Sequence, residues 1–158
     1  MKYLIPMLCV LPLVAACAGG PSKSDLDDEV RRLCAIDGGV KVYETVKLPA
    51  ERFNQWGQVN FYKPTQGENA LGPEYIFRSV TKYYKQGNPE MSRSHYLIYR
   101  HSDEKLLGEA ISYGRGGGDL PGPWHGSSYS CPDIIKAGPN ALLQAVFVMN
   151  ATNLKDGR

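Results

Sequence analysis

The sequence predicts an α+β domain: an N-terminal helix packed on a four- to five-stranded antiparallel sheet and clamped by one disulfide. Three observations predict it. Residues 24–37 carry helix-capping and helix-period signals. Between residues 74 and 113, three β-branched and aromatic segments are joined by connections too short for anything but antiparallel neighbours. Of the four cysteines, two fall in the folded part, an even number suited to an oxidising compartment.

The chain begins with targeting signals. Met1-Lys2-Tyr3 is a short basic start, and Leu4–Val14 is an apolar run too short to cross a bilayer, which takes about 20 residues in a helix. Val14-Ala15-Ala16-Cys17 follows and resembles the bacterial lipobox, in which Cys17 is acylated and becomes the mature N-terminus. The competing reading is ordinary signal cleavage around Ala16-Cys17-Ala18. On the lipobox reading, residues 1–16 are a signal peptide and residues 17–23 a lipidated tether. Residues 24–154 form a single α+β domain and residues 155–158 a frayed tail. The six residues after Cys17 reach about 20 Å when extended, which keeps the domain close to the bilayer. Alanine after the cysteine implies sorting to the outer membrane in a Gram-negative cell.

Removing the signal leaves about 140 residues, enough for one domain with a core. The 17 basic and 16 acidic side chains that remain nearly cancel. No basic stripe is present to neutralise phosphates, so no nucleic-acid partner is expected. The expected partners are the membrane, through the lipid, and an envelope protein.

Ser24 is read as the helix N-cap, with Asp27 as the return partner of a capping box. Acidic residues crowd the first turn, and Arg31 and Arg32 come later, the order a helix dipole favours. Leu26, Val30, Leu33 and Cys34 share one face, and Asp37-Gly38-Gly39 ends the helix. Cys34 is thereby placed to pair with Cys131, closing a loop of about 97 residues. Two free buried thiols are the alternative. A metal site is not expected from two isolated cysteines.

Residues 40–48 alternate as one half-buried strand, with Glu44 at the sheet margin beside a basic partner or solvent. Pro49 opens a single helical turn. Residues 54–73 read as a long loop with one short strand around residues 59–62. Its Trp56, Phe61 and Tyr62 either cover a core edge or stack on sugars. Strands are expected over residues 74–86, 93–101 and 106–113, then a turn of helix within 132–139. Residues 140–150 are read as a last buried strand, with a short helix as the alternative.

The stretch most inviting for function is Leu107–Pro132. Eight of its residues from Gly114 to Gly126 are Gly or Pro, and Arg115, Asp119, Trp124 and His125 lie among them. These four are the candidate ligand or partner contacts. An Asp beside a His begins a catalytic constellation, but no serine nearby stands in a nucleophile-elbow pattern, so no catalytic residue is assigned. The triple glycine lacks the lysine, hydroxyl and following helix of a phosphate loop, so no nucleotide and no cofactor is expected. The expected role is structural: Asp119 accepts loop N–H groups, Arg115 pairs with it, and Trp124 plugs the loop onto the sheet. His95 and His101 share a strand face about 20 Å apart and are read as surface or edge histidines that cannot share a metal.

Asp37-Gly38-Gly39, Val42-Tyr43-Glu44, Leu107-Gly108-Glu109, Gly117–His125 and Cys131-Pro132 together resemble a group of small proteobacterial lipoproteins. The resemblance covers most of the mature chain. It implies an envelope lipoprotein and adds no reaction. Taken together, the expectation is a non-enzymatic lipoprotein with a protein-interaction or structural role at the periplasmic face of the outer membrane. The alternative is a small-ligand binder or enzyme with a cleft at the 114–126 loop. Glycan binding through Trp56 and Trp124 is a third possibility.

Overall fold

The computed structural model describes residues 20–120, 122 and 125–150. Cys17, Trp124 and the expected frayed tail lie outside them, as do the signal and residues 17–19 of the tether.

Helix α1 spans Lys23–Asp37. Its N-cap is Ser22, not Ser24: the Ser22 hydroxyl accepts from the Asp25 N–H, and the Asp25 carboxylate accepts from the Ser22 N–H at 2.9 Å. The box therefore closes two residues earlier than the sequence suggests, which frees Asp27 for another partner. Leu26 and Val30 are buried, and Leu33 and Cys34 pack partly buried beside them, so the apolar face is the expected one. Arg31 and Arg32 reach back one turn to Asp28 and Glu29.

The strand expected over 40–48 is broken in two, β1 Gly39–Val42 and β2 Val46–Leu48. Alternation continues through the break, but Tyr43 N–H and Glu44 N–H both donate to the Leu107 carbonyl, which turns the chain out of the sheet. Three long antiparallel strands follow: β3 Tyr75–Lys85, β4 Glu90–Arg100 and β5 Leu106–Gly116. A short strand without a clear sequence signal, β6 Ser128–Cys131, pairs with the end of β5. The five-stranded antiparallel sheet runs β1-β5-β4-β3, and β1 and β6 lie end to end along the same edge of β5.

After the turn α2, Ile134–Ala137, comes the main departure from the sequence reading. Residues 140–150 are mostly helix: α3 spans Pro139–Val146, and only Phe147–Met149 form a strand, β7, parallel to β2. Pro139 starts the helix where its missing N–H costs nothing. Leu142, Leu143 and Val146 then bury one helical face, worth about 1.5–3 kcal/mol each against exposure. The strand expected around residues 59–62 is reduced to one bridge, Phe53 with Val59.

Apart from Leu107, which the register shift leaves without a partner on β4, neighbouring residues of β5 face opposite ways. Ala110 therefore joins the core under α3, with Phe77, Ile98, Leu107 and Phe147, whereas Ile111 and Tyr113 join the core under α1, with Leu26, Val30 and Met91. The seat for α3 is Gly108. A Cβ there would stand 2.7 Å from Val146 Cγ2 and 3.2 Å from Leu142 Cδ1, so only glycine lets the helix approach this closely.

Candidate functional site

The glycine loop and α1 form one construction. Cys34 and Cys131 are disulfide-bonded, joining the last part of α1 to the end of β6. One turn into α1, Asp27 receives the Arg115 guanidinium, with Nε donating at 2.8 Å and Nη2 at 3.2 Å. The remaining nitrogen, Nη1, donates to the carbonyls of Gly117 and Ser127 and to the Ser127 hydroxyl at 2.8–2.9 Å. Arg115 is 3% exposed. A buried guanidinium is tolerated when its donors are matched and its charge is paired, and both conditions hold.

At the first residue of α1, Lys23 Nζ donates to Asp119 at 2.7 Å. Asp119 also accepts from the Ser127 N–H and hydroxyl. These bonds, the Lys23 contact foremost, draw the Asp119 carboxyl down from 3.8 to about 2. The expected Asp119–Arg115 pair is thus replaced by two pairs that each reach α1. Asp119 does take the loop N–H. Gly117 and Gly118 hold φ of +75° and +83°, and a Cβ on Gly117 would collide with Asn88 Oδ1, the atom that accepts the Gly118 N–H. Here the chain needs glycine for the turn rather than for a phosphate.

His125 is exposed on the loop and does not meet Asp119 in a catalytic pair. The structure brings Arg115 and Asp119 together only through Ser127. Four cavities found among the described residues lie elsewhere.

Sequence reasoning missed two other clusters. His95 is part-buried on the α1 face of the sheet, with Nε2 2.7 Å from Glu109 Oε2. Glu109 also accepts from the Tyr43 hydroxyl at 2.6 Å, and Lys41 Nζ stands 3.9 Å away. Burial opposes ionisation of Glu109, but the Tyr43 and His95 hydrogen bonds outweigh it and hold the carboxyl below its ordinary value. Beside this cluster, the Tyr113 hydroxyl donates to Asp37 at 2.7 Å, and Arg93 bonds both. Burial, and then the Asp37 bond, push the Tyr113 phenol up to about 12. Strand register places the cluster: Lys41 opposes Glu109, two residues along β5 from the Ile111–His95 pair and on the same face. Glu44, expected at the sheet margin beside a basic partner or solvent, meets both Arg100 and Lys105.

The second cluster is a cavity of about 370 Å³ between residues 54–62 and α3. Its walls are rich in carboxamides, and no sequence spacing announces it.

No protein-family model, curated protein or solved structure matches the chain.

Proposed function

We propose that this chain is a lipid-anchored protein of the cell envelope, held through Cys17 at the periplasmic face of the outer membrane. It acts there as a binding or structural module rather than as an enzyme. The observation that carries the reading is the way α1 is fastened. The helix follows the lipobox after a few residues. It is tied by Lys23–Asp119 at its first residue, by Asp27–Arg115 one turn on, and by Cys34–Cys131 near its end. A domain hung from a membrane takes its load through the segment next to the anchor, and that segment carries these three ties. The disulfide fits an oxidising compartment. The loop residues that invited a catalytic reading, Arg115 and Asp119, spend their hydrogen bonds on these ties. Tyr83 and Tyr84 lie exposed on β3 and offer amphipathic surface to a protein partner.

Two experiments test the reading. Cells fed an alkynyl fatty acid should label the wild-type chain and not Cys17→Ala; label that persists in the variant refutes the anchor. Crosslinking in intact cells followed by affinity capture should recover a discrete envelope partner. Recovery of none argues against the interaction role.

A further inference from the structure

The carboxamide-lined cavity has the chemistry of a ligand site, and it does not depend on the lipid anchor. Its volume, about 370 Å³, falls within the range of about 300–1,000 Å³ common for small-ligand pockets. Five carboxamides line it, Asn54, Gln58, Asn60, Asn140 and Gln144, together with Tyr62. Val59 and Leu143 complete the lining, in which no described residue carries a charged side chain.

Two unrelated segments build it. Asn54 shapes the first: its Oδ1 accepts from the N–H groups of Trp56 and Gln58, and its Nδ2 donates to Gln58 Oε1 at 3.1 Å. The second is α3, on which Asn140, Leu143 and Gln144 stand at i, i+3 and i+4 and so share a face. The face of α3 that holds Leu142 and Val146 is seated over Gly108, which sets the position of the other.

The bonds already made show what remains. Asn54 is consumed by its own turn. Gln58 uses only its carbonyl, and Asn60 uses only its amide N–H, toward the Glu51 carbonyl. Asn140 and Gln144 make no side-chain hydrogen bond among the described residues, and neither does the Tyr62 hydroxyl. The cavity therefore presents amide donors from Gln58, Asn140 and Gln144, and acceptors from Asn60, Asn140 and Gln144. A phenol lies beside two apolar side chains.

Carboxamides bond hydroxyl and acetamido groups in both senses. A charged ligand would lose hydration here without an opposite charge in the lining to compensate it. The apolar patch from Val59 and Leu143 suits the C–H face of a sugar or an acetyl methyl. Trp56, in the same turn as Asn54 and Gln58, is 72% exposed and supplies an aromatic surface for stacking. We infer that the 54–62 segment and α3 form a binding site for an uncharged oligosaccharide of N-acetylated amino sugars.

The probe is tri-N-acetylchitotriose, titrated into the purified full chain in detergent. Binding is read by calorimetry and by the side-chain NH₂ resonances of labelled protein. The trisaccharide should bind and shift the Asn140 and Gln144 resonances. Asn140→Ala/Gln144→Ala, both at exposed positions, should weaken binding at least tenfold with an unchanged melting temperature. Tyr62→Phe, which keeps the ring, should weaken it as well. Absence of binding at millimolar trisaccharide overturns the inference, as does equal affinity in the double variant. Equal affinity for maltotriose, which has no acetamido group, overturns the N-acetyl assignment. Retention on purified sacculi would make the cell wall the source of the sugar. Binding of the trisaccharide without retention would make it a free oligosaccharide. Loss of fatty-acid labelling in Cys17→Ala leaves this site untouched, so the two proposals fail separately.

Discussion

Arg115 and Asp27 are 88 residues apart in sequence and form a two-point ion pair between β5 and α1, with the guanidinium almost wholly withdrawn from water. Breaking a buried pair from one side leaves the other charge uncompensated, at a cost of about 3–5 kcal/mol. The Asp27 side chain keeps 21% of its surface exposed, so Asp27→Ala should fall near the lower end of that range. Arg115→Met should cost more, because the carbonyls of Gly117 and Ser127 lose their donor too. Urea unfolding of both variants checks this. A loss below 1 kcal/mol in each would show that the pair is not a tie.

The disulfide closes a loop of 97 residues. The chain-entropy model makes such a crosslink worth roughly 4–5 kcal/mol, through the unfolded state. Because Asp27 and Lys23 still hold α1, the Cys34→Ser/Cys131→Ser protein should keep its native circular dichroism in water. It should unfold at a much lower urea concentration. An unchanged midpoint would remove the disulfide from the list of ties.

Acid should weaken the ties that Asp119 makes. The Asp119 carboxyl lies at about 2 in the folded protein against an ordinary 3.8, so the unfolded chain binds its proton first as pH falls. Its contribution is therefore fully present above pH 4 and is lost on going down through pH 2. Other carboxylates, Glu109 and Asp37 among them, are also held below their ordinary values, so the whole protein weakens in acid. The share due to Asp119 is the difference between wild type and Asp119→Asn. The variant should be less stable at pH 6, and the gap should shrink below pH 4 and close below pH 2. A gap that is constant with pH would mean that the charge of Asp119 does not matter.

These ties show what a single sequence displays and what it hides. The strands from residue 75 to 116 were legible because β-branched and aromatic residues run between short turns. The disulfide was legible from the even number of cysteines in the folded part, read with the expectation of an exported chain. The partners of Arg115 were not. Asp119 lies four residues away in sequence, and nothing local distinguishes it from Asp27, which comes near only once α1 lies across β5. The helix α3 was hidden for a different reason. Its apolar positions at Leu142, Leu143 and Val146 have helical spacing, but Val146-Phe147-Val148 favours a strand and belongs to one only from Phe147 onward. The amide-lined cavity was illegible in principle, since five of its lining residues come from Asn54–Tyr62 and three from a helix some 80 residues later, in a stretch whose sequence favours a strand.

Gly108 is where that helix can be tested. A methyl group there would press on Val146 and Leu142, and on the Lys41 carbonyl at 3.0 Å. Overpacking of this kind costs about 1–3 kcal/mol, and because backbone is one of the contacts the side chains alone cannot relieve it. Gly108→Ala should therefore destabilise the fold by that amount and push α3 off the sheet. Val146→Ala alone should also destabilise, by opening a cavity. Combined, the two should cost less than their sum, since the new methyl fills part of the space that valine leaves. The carboxamide cavity adds a second readout, because Asn140 and Gln144 ride on the same helix. Gly108→Ala should disturb their NH₂ resonances while leaving that of Asn88, at the far glycine loop, in place. Strict additivity in the double variant, with unmoved Asn140 and Gln144 resonances, would show that α3 is not seated on Gly108.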